Sequence, residues 1–233
     1  MVVRAALIGN RDDMDPGLVG HALRRRGVAF VELHREDPSG WPRVDEVDMV
    51  LSLGSSWSAY WPEVAGPARA EQQYLAAAHG AGVPVLGLCF GAQQLSLALG
   101  GTVERSQTHE IGWHDVRALA ETGTEAAAIL EGPWFQWHYD RFSVPSGATA
   151  LADSPVSPQA FMAGRSLALQ FHPEVTETIV TQWASDGGET ELADAGIDRE
   201  GLLDRTRRSI ATVRPRTEAL VEWYLRAVAQ THT

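Results

Sequence analysis

Three side chains in this sequence have the types and settings for acyl transfer: a lone cysteine, a histidine, and a carboxylate two residues beyond that histidine. Cys89, the only cysteine among 233 residues, follows the apolar run Val83-Pro84-Val85-Leu86-Gly87-Leu88 and leads into Phe90-Gly91-Ala92-Gln93-Gln94. A strand that ends in one sharply turned residue and passes straight into a helix is a nucleophile elbow, which pushes that residue's side chain into a cleft. Unpaired N–H groups and the positive dipole end of the following helix favour a thiolate there. Gly87 and Gly91 give the tight turn its steric room. Taken alone, the pattern also suits a small apolar cysteine that fills a core.

The second apolar run, Leu167-Ala168-Leu169-Gln170-Phe171, ends in His172-Pro173-Glu174. Proline at 173 biases His172 to an extended backbone, and side chains two apart on an extended chain point the same way. Glu174 can therefore reach the ring of His172. Thiol, base and a carboxylate that fixes the base's tautomer make up a triad for activating a nucleophile. By itself His-Pro-Glu also fits a strand cap with a solvated acid; beside the cysteine elbow the triad is the better account.

With these residues in place, the chain resembles the triad-type (class I) glutamine amidotransferases, and within them stand-alone proteins similar to the glutaminase domain of GMP synthase. The resemblance rests on Gly87-Leu88-Cys89-Phe90-Gly91-Ala92-Gln93, Gly100-Gly101, Glu110-Ile111-Gly112-Trp113, Trp137-His138-Tyr139-Asp140 and Gln170-Phe171-His172-Pro173-Glu174, and extends over about residues 1 to 185. It implies a flavodoxin-like α/β fold, a mostly parallel central sheet flanked by helices, with Cys89, His172 and Glu174 as catalytic residues. It also implies an oxyanion site built from the backbone N–H of Phe90 and one from the loop after the third strand. There the family usually carries Gly-Gly-Pro, whereas this chain has Gly54-Ser55-Ser56. Ser55 still has an N–H to donate, although a positive φ would cost a serine more than a glycine. In the substrate pocket the resemblance places Gly54, Gln93, His138, Tyr139 and Asp140, with Tyr139 standing where the family has a small glycine.

Composition narrows the function further. The chain carries 19 basic and 30 acidic residues, a net charge of −11, and every basic residue is arginine. Without lysine there is neither a Schiff-base amine nor a P-loop lysine, so pyridoxal chemistry and a Walker-type ATP site are excluded. An acidic chain without a basic stripe is a poor binder of nucleic acid. No run approaches a membrane span and the N-terminus lacks a signal-peptide layout, so a cytoplasmic location is expected. A single cysteine fits a reducing compartment. His109 and His114 are wrongly spaced for one helical face and lack the partners of a zinc site. The eight tryptophans, Trp113, Trp134 and Trp137 among them, suit either an aromatic pocket or a core.

Apolar and amphipathic stretches alternate in the manner of a doubly wound sheet. Strands are predicted near 3–9, 28–33, 47–53 and 83–88, with helices near 17–26, 67–80 and 90–99. From 102 to 171, short strand-like pieces broken by Pro and Gly predict a small antiparallel addition. One domain is expected over 1–185, extended at 186–233 by an acidic loop to about residue 198 and a helix pair at about 199–230 interrupted at Pro215. The expected reaction is hydrolysis of a glutamine or γ-glutamyl amide through a Cys89 thioester, with no metal or organic cofactor. The ammonia would pass to a separate synthase; a stand-alone γ-glutamyl amide, peptide or polyamine hydrolase and a catalytically silent binding relative remain as alternatives.

Overall fold

The computed structural model describes residues 3–185 and 187–230, with the side chains of residues 229 and 230 outside the description. Five parallel strands form the first half of its sheet: β1 (Val3–Gly9), β2 (Val28–His34), β3 (Met49–Ser52), β4 (Val85–Leu88) and, much later in the chain, β9 (Ser166–Leu169). Four more strands, β5 (Val103–Ala118), β6 (Gly132–Phe142), β7 (Thr149–Asp153) and β8 (Pro158–Ala163), continue it antiparallel, in the spatial order β2-β1-β3-β4-β9-β8-β7-β5-β6. The parallel strands read as continuous apolar runs because both of their faces are covered. Ala5, Leu7, Met49 and Leu51 pack with α1 (Gly17–Arg24) and the C-terminal helix α7 (Arg199–Gln230). Ala6, Ile8, Val50 and Val85 turn to the other face, against α2 (Ala65–Gly80) and α3 (Phe90–Ala98). Successive residues of a strand alternate faces, so each strand feeds both cores.

The strands and helices predicted before residue 100 lie within a few residues of the observed elements, and the antiparallel addition is present as β5 to β8. Two expectations for the C-terminal region fail. The acidic loop expected at 186–198 contains a short helix, α6 (Gly188–Asp194), which follows α5 (Glu177–Trp183). The predicted break at Pro215 is absent: α7 runs as a single helix of 32 residues with the proline inside it. A proline in a helix interior forfeits one backbone hydrogen bond and crowds the preceding turn. Here both flanks are anchored. Val213, Thr217, Leu220 and Tyr224 are buried, Thr217 Oγ1 donates to Pro173 O at 2.8 Å, and Arg216 donates to the carbonyls of Pro133 and Glu131 at 2.9 and 2.7 Å. Tertiary contacts override the local preference.

Because the Pro215 ring is exposed and fills no core space, Pro215→Ala restores the missing donor without opening a cavity. The variant is expected to be more stable by about 1–3 kcal/mol, read from the urea midpoint; an unchanged or lowered midpoint would mean that the proline contributes to packing after all.

Candidate active site

Parallel strands leave their unpaired carboxyl ends at one edge of the sheet, where connecting segments diverge and a crevice opens. In this chain the crevice is a cavity of about 240 Å³, lined by residues that follow β1 (Asn10, Asp12, Asp13), β3 (Ser55 to Ser58), β4 (Cys89, Phe90) and β9 (His172). Pairing of Leu88 with Leu169 brings the ends of β4 and β9 level, and Cys89 N–H donates to Leu169 O at 2.8 Å. The two catalytic candidates, far apart in sequence, therefore emerge side by side.

Cys89 has φ 47° and is the only non-glycine residue with positive φ among those described. Such a backbone costs an L-residue on the order of 1–3 kcal/mol and persists only where its surroundings dictate it. They do so through two close approaches. A Cβ added at Gly87 would lie 2.6 Å from Gly91 O, and one added at Gly91 would lie 2.3 Å from Ser52 O. Only glycines allow α3 to start this close to the sheet. The thiol is held from two sides, by Gln170 Nε2 at 3.6 Å and by Trp137 O at 3.8 Å. Gln170 was part of the motif read from the sequence but had been given no role there.

His172 is anchored through its N–H to Phe135 O at 2.8 Å, and its ring packs against Trp183 at 4.8 Å between centroids. Nδ1 lies 2.6 Å from Glu174 Oε1, which leaves Nε2 buried without a partner in a ring that lines the cavity. Burial alone would push the ring's pKa down, but the Glu174 carboxylate and the Cys89 sulfur beside it hold it well above the usual imidazole range. The arrangement favours an imidazolium at His172, the proton-carrying partner that a thiolate at Cys89 needs. Glu174 is fixed in turn from behind, because its carbonyl accepts from Leu18 N–H at the start of α1, 2.7 Å away.

The loop after β3 departs from expectation in two ways. Ser55 lines the cavity with a negative φ, so the strain anticipated for a serine there does not arise; its Oγ accepts from Trp57 N–H at 3.1 Å and closes a local turn. Gly54, expected in the substrate pocket, is not on the cavity wall. A Cβ there would sit 3.0 Å from His172 Cε1, and its carbonyl is occupied by Arg35. Arg35 went unnoticed in the sequence, where it looks like any arginine at a strand end. It is fully buried, pairs with Glu71 at 2.7 Å, and donates to Asn10 Oδ1, Gly54 O and Leu53 O at 2.9, 2.8 and 2.5 Å, with Phe90 beneath its guanidinium.

Of the expected substrate-binding residues, Gln93, His138, Tyr139 and Asp140 do reach the cavity. Gln93 is buried and directs Nε2 toward Asp140 O and Gln170 Oε1, both at 3.4 Å. Asp140 accepts from Tyr60 OH at 2.7 Å. The His138 ring is committed elsewhere: Nδ1 contacts Asp140 O at 2.9 Å, and Nε2 lies 3.1 Å from Glu110 Oε2 but is poorly aligned for a hydrogen bond. Of the tryptophans singled out, Trp137 lines the cavity, whereas Trp113 and Trp134 are core residues that donate to Thr206 Oγ1 and Leu130 O. Asp13, Trp183 and Glu191 complete the wall and were not foreseen.

The sequence model of the glutamine amidotransferase class-I family matches residues 61–183. GMP synthase [glutamine-hydrolyzing] from Nitrosomonas eutropha is 35% identical over 153 residues, covering 58% of this chain and 28% of that protein. The protein of the same name from Burkholderia vietnamiensis is 35% identical over 176 residues, covering 70% of this chain and 31% of its own length. This chain thus spans less than a third of these curated relatives. Among solved structures, a glutamine amidotransferase from Thermotoga maritima superposes with a TM-score of 0.85 at 28% identity, over 96% of this chain and 98% of that one. A glutamine amidotransferase from Methylobacillus flagellatus shares the fold, with a TM-score of 0.81 at 24% identity, over 97% and 94% of the two chains.

Two outcomes follow from the electrostatics. Arg35→Met strands Glu71 as a buried unpaired charge and should cost about 3–5 kcal/mol, whereas Arg35→Met with Glu71→Met should regain part of that loss; urea midpoints that rank the double variant below the single one would contradict this account of the pair. For His172, the folded pKa lies above the unfolded value of about 6.5, so its interaction with Glu174 stabilises the fold fully below that pH and fades as pH rises through the raised folded value. Glu174→Gln should lower the His172 pKa in an NMR titration, and the stability gap between wild type and variant should narrow across that window.

Proposed function

The chain belongs to the glutamine amidotransferase class-I family, and on that premise we propose that it hydrolyses the side-chain amide of glutamine or a related γ-glutamyl compound through a thioester on Cys89. The observation that carries the proposal is the Cys89–His172–Glu174 constellation. An elbow thiol and a buried imidazole line one cavity, with the imidazole's outer nitrogen fixed on a carboxylate at 2.6 Å. In the resting site His172 holds the thiol proton. The thiolate attacks the amide carbon, and the oxyanion develops against the N–H groups of Phe90 and Ser55, both on the cavity wall. Collapse breaks the C–N bond while His172 delivers its proton to the leaving nitrogen. Water then attacks the thioester and yields its proton to His172, and the C–S bond breaks, restoring thiolate and imidazolium. One amide and one water give one acid and one free amine or ammonia. Glu174 keeps the ring oriented throughout.

When the leaving group is ammonia, the reading most in keeping with the relatives named GMP synthase is delivery to a separate synthase chain. The absence of lysine supports placing any Walker-type ATP chemistry elsewhere. A stand-alone γ-glutamyl amide hydrolase is the second reading, favoured by the acidic wall of the cavity. The intact triad speaks against a purely binding relative. A cytoplasmic setting accords with both enzymatic readings.

Glutamate release from glutamine and a panel of γ-glutamyl amides tests the proposal. Cys89→Ala should lower turnover on the order of 10³-fold or more while changing stability by no more than about 2 kcal/mol, with an unaltered circular dichroism spectrum. Undiminished turnover in a verified Cys89→Ala protein would overturn the mechanism.

A further inference from the structure

The two groups that hold the Cys89 sulfur make opposite demands on its proton. Trp137 O, at 3.8 Å, can only accept, so it favours the S–H form. Gln170 Nε2, at 3.6 Å, can only donate, so it favours the thiolate. The balance matters because the thiolate, not the thiol, is the nucleophile. His172 also favours the thiolate, but its proton has to move during the reaction. An amide N–H keeps its proton throughout.

A glutamine side chain could equally turn its oxygen to the sulfur, and here its neighbours decide that it does not. Asp140 O is a carbonyl and only accepts, so Gln93 presents Nε2 to it, at 3.4 Å. The same Nε2 lies 3.4 Å from Gln170 Oε1, which turns the Gln170 oxygen toward Gln93 and its NH2 group toward the sulfur. His138 Nδ1 meets that Asp140 carbonyl from a second side at 2.9 Å. The backbone of Gln170 is fixed as well: it follows Leu169, which is in register with Leu88, and its N–H donates to Gln159 O at 2.8 Å. Gln170 is wholly buried and is not on the cavity wall, so it meets the sulfur from behind. Toward a neutral thiol, a weak acceptor, that donor gains little; toward a thiolate the bond is charge-assisted.

From these contacts we infer that Gln170 is a positioning residue of the reaction: oriented by Gln93, its amide donates to the Cys89 sulfur from behind the cavity and stabilises the thiolate against the thiol. The inference rests on Cys89 as the nucleophile of the reaction above and adds what keeps its sulfur ionised. The same donor serves twice. It holds the thiolate before attack, and its bond weakens once the C–S bond forms and the sulfur loses its charge. When that bond breaks after water has attacked, its electron pair returns to sulfur, and the N–H is already in place to receive the charge. No proton passes through Gln170. The titratable groups that share the cavity with the sulfur, His172 after β9, Asp12 and Asp13 after β1, His138, Tyr139 and Asp140 on β6 and Glu191 on α6, are the same in a Gln170 variant.

Because Cys89 is the only cysteine, alkylation by iodoacetamide reports on it alone and needs no substrate. The readout is the alkylation rate at about pH 6 divided by that at about pH 10, where an ordinary thiol is ionised; the ratio cancels differences in access. Gln170→Met keeps the shape and removes the donor, and should lower the ratio about tenfold, the low end for a hydrogen bond to a charged group. Gln93→Met, which frees the Gln170 amide to turn, should lower it less, by a few-fold. Gln136→Met is the control: Gln136 is equally buried and donates to Gln159 Oε1 at 2.8 Å, so its loss should lower the urea midpoint and leave the ratio unchanged. An unchanged ratio in folded Gln170→Met, or in Gln93→Met should Gln170→Met not fold, would overturn the inference. An equal fall in Gln136→Met would do the same, since it would trace the effect to general loosening. Ratios as expected, in a wild-type protein that releases no glutamate from glutamine or any γ-glutamyl amide, would support this inference and count against the hydrolytic reading alone.

Discussion

A guanidinium sealed from solvent holds the reactive edge of the sheet together. Arg35 leaves β2, receives the charge of Glu71 from α2, and spends its remaining donors on Asn10 after β1 and on the carbonyls of Leu53 and Gly54 after β3, with Phe90 of the elbow against its face. A buried ion pair returns its desolvation cost only when its geometry is good and its other donors are satisfied. Here those donors are satisfied by the very segments that must be placed relative to Cys89. Arginine is the side chain whose five donors in a rigid fork can tie so many acceptors at once.

That clamp makes the strained elbow affordable. Cys89 adopts its positive φ where Gly91 approaches Ser52 O and the Cys89 amide is tied to β9, so the strain is imposed from both sides and the thiol cannot relax away from His172. The C-terminal helix contributes from a distance. Thr217 of α7 donates to Pro173 O, steadying the turn that places His172 two residues before Glu174.

Electrostatically the cavity has two halves. At its floor, a carboxylate behind His172 and a thiol in front keep a positive ring in a place that burial would otherwise neutralise. Elsewhere on its lining, the indoles of Trp183 and Trp137 and the phenol of Tyr60 donate to the carboxylates of Asp13, Glu191 and Asp140.

The sequence by itself determined the strands up to residue 100, the elbow at Cys89 and the His172–Glu174 pair, because each is written in local pattern: apolar runs, glycines flanking one residue, a proline that extends its neighbour. It also excluded lysine-dependent chemistry outright. Only the tertiary structure decided that Ser55 needs no left-handed backbone, that Gly54 backs the His172 ring instead of lining the pocket, and that α7 passes through Pro215 unbroken. The same is true of Arg35, Asp13, Trp183 and Glu191. Their roles come from strand register and helix packing that join residues far apart in the chain, such as Trp137 with Glu191 and Asp13 with Trp183. Periodicity and spacing describe what a residue does along its own element; which distant group it will face is fixed only when the sheet closes and the helices settle on it.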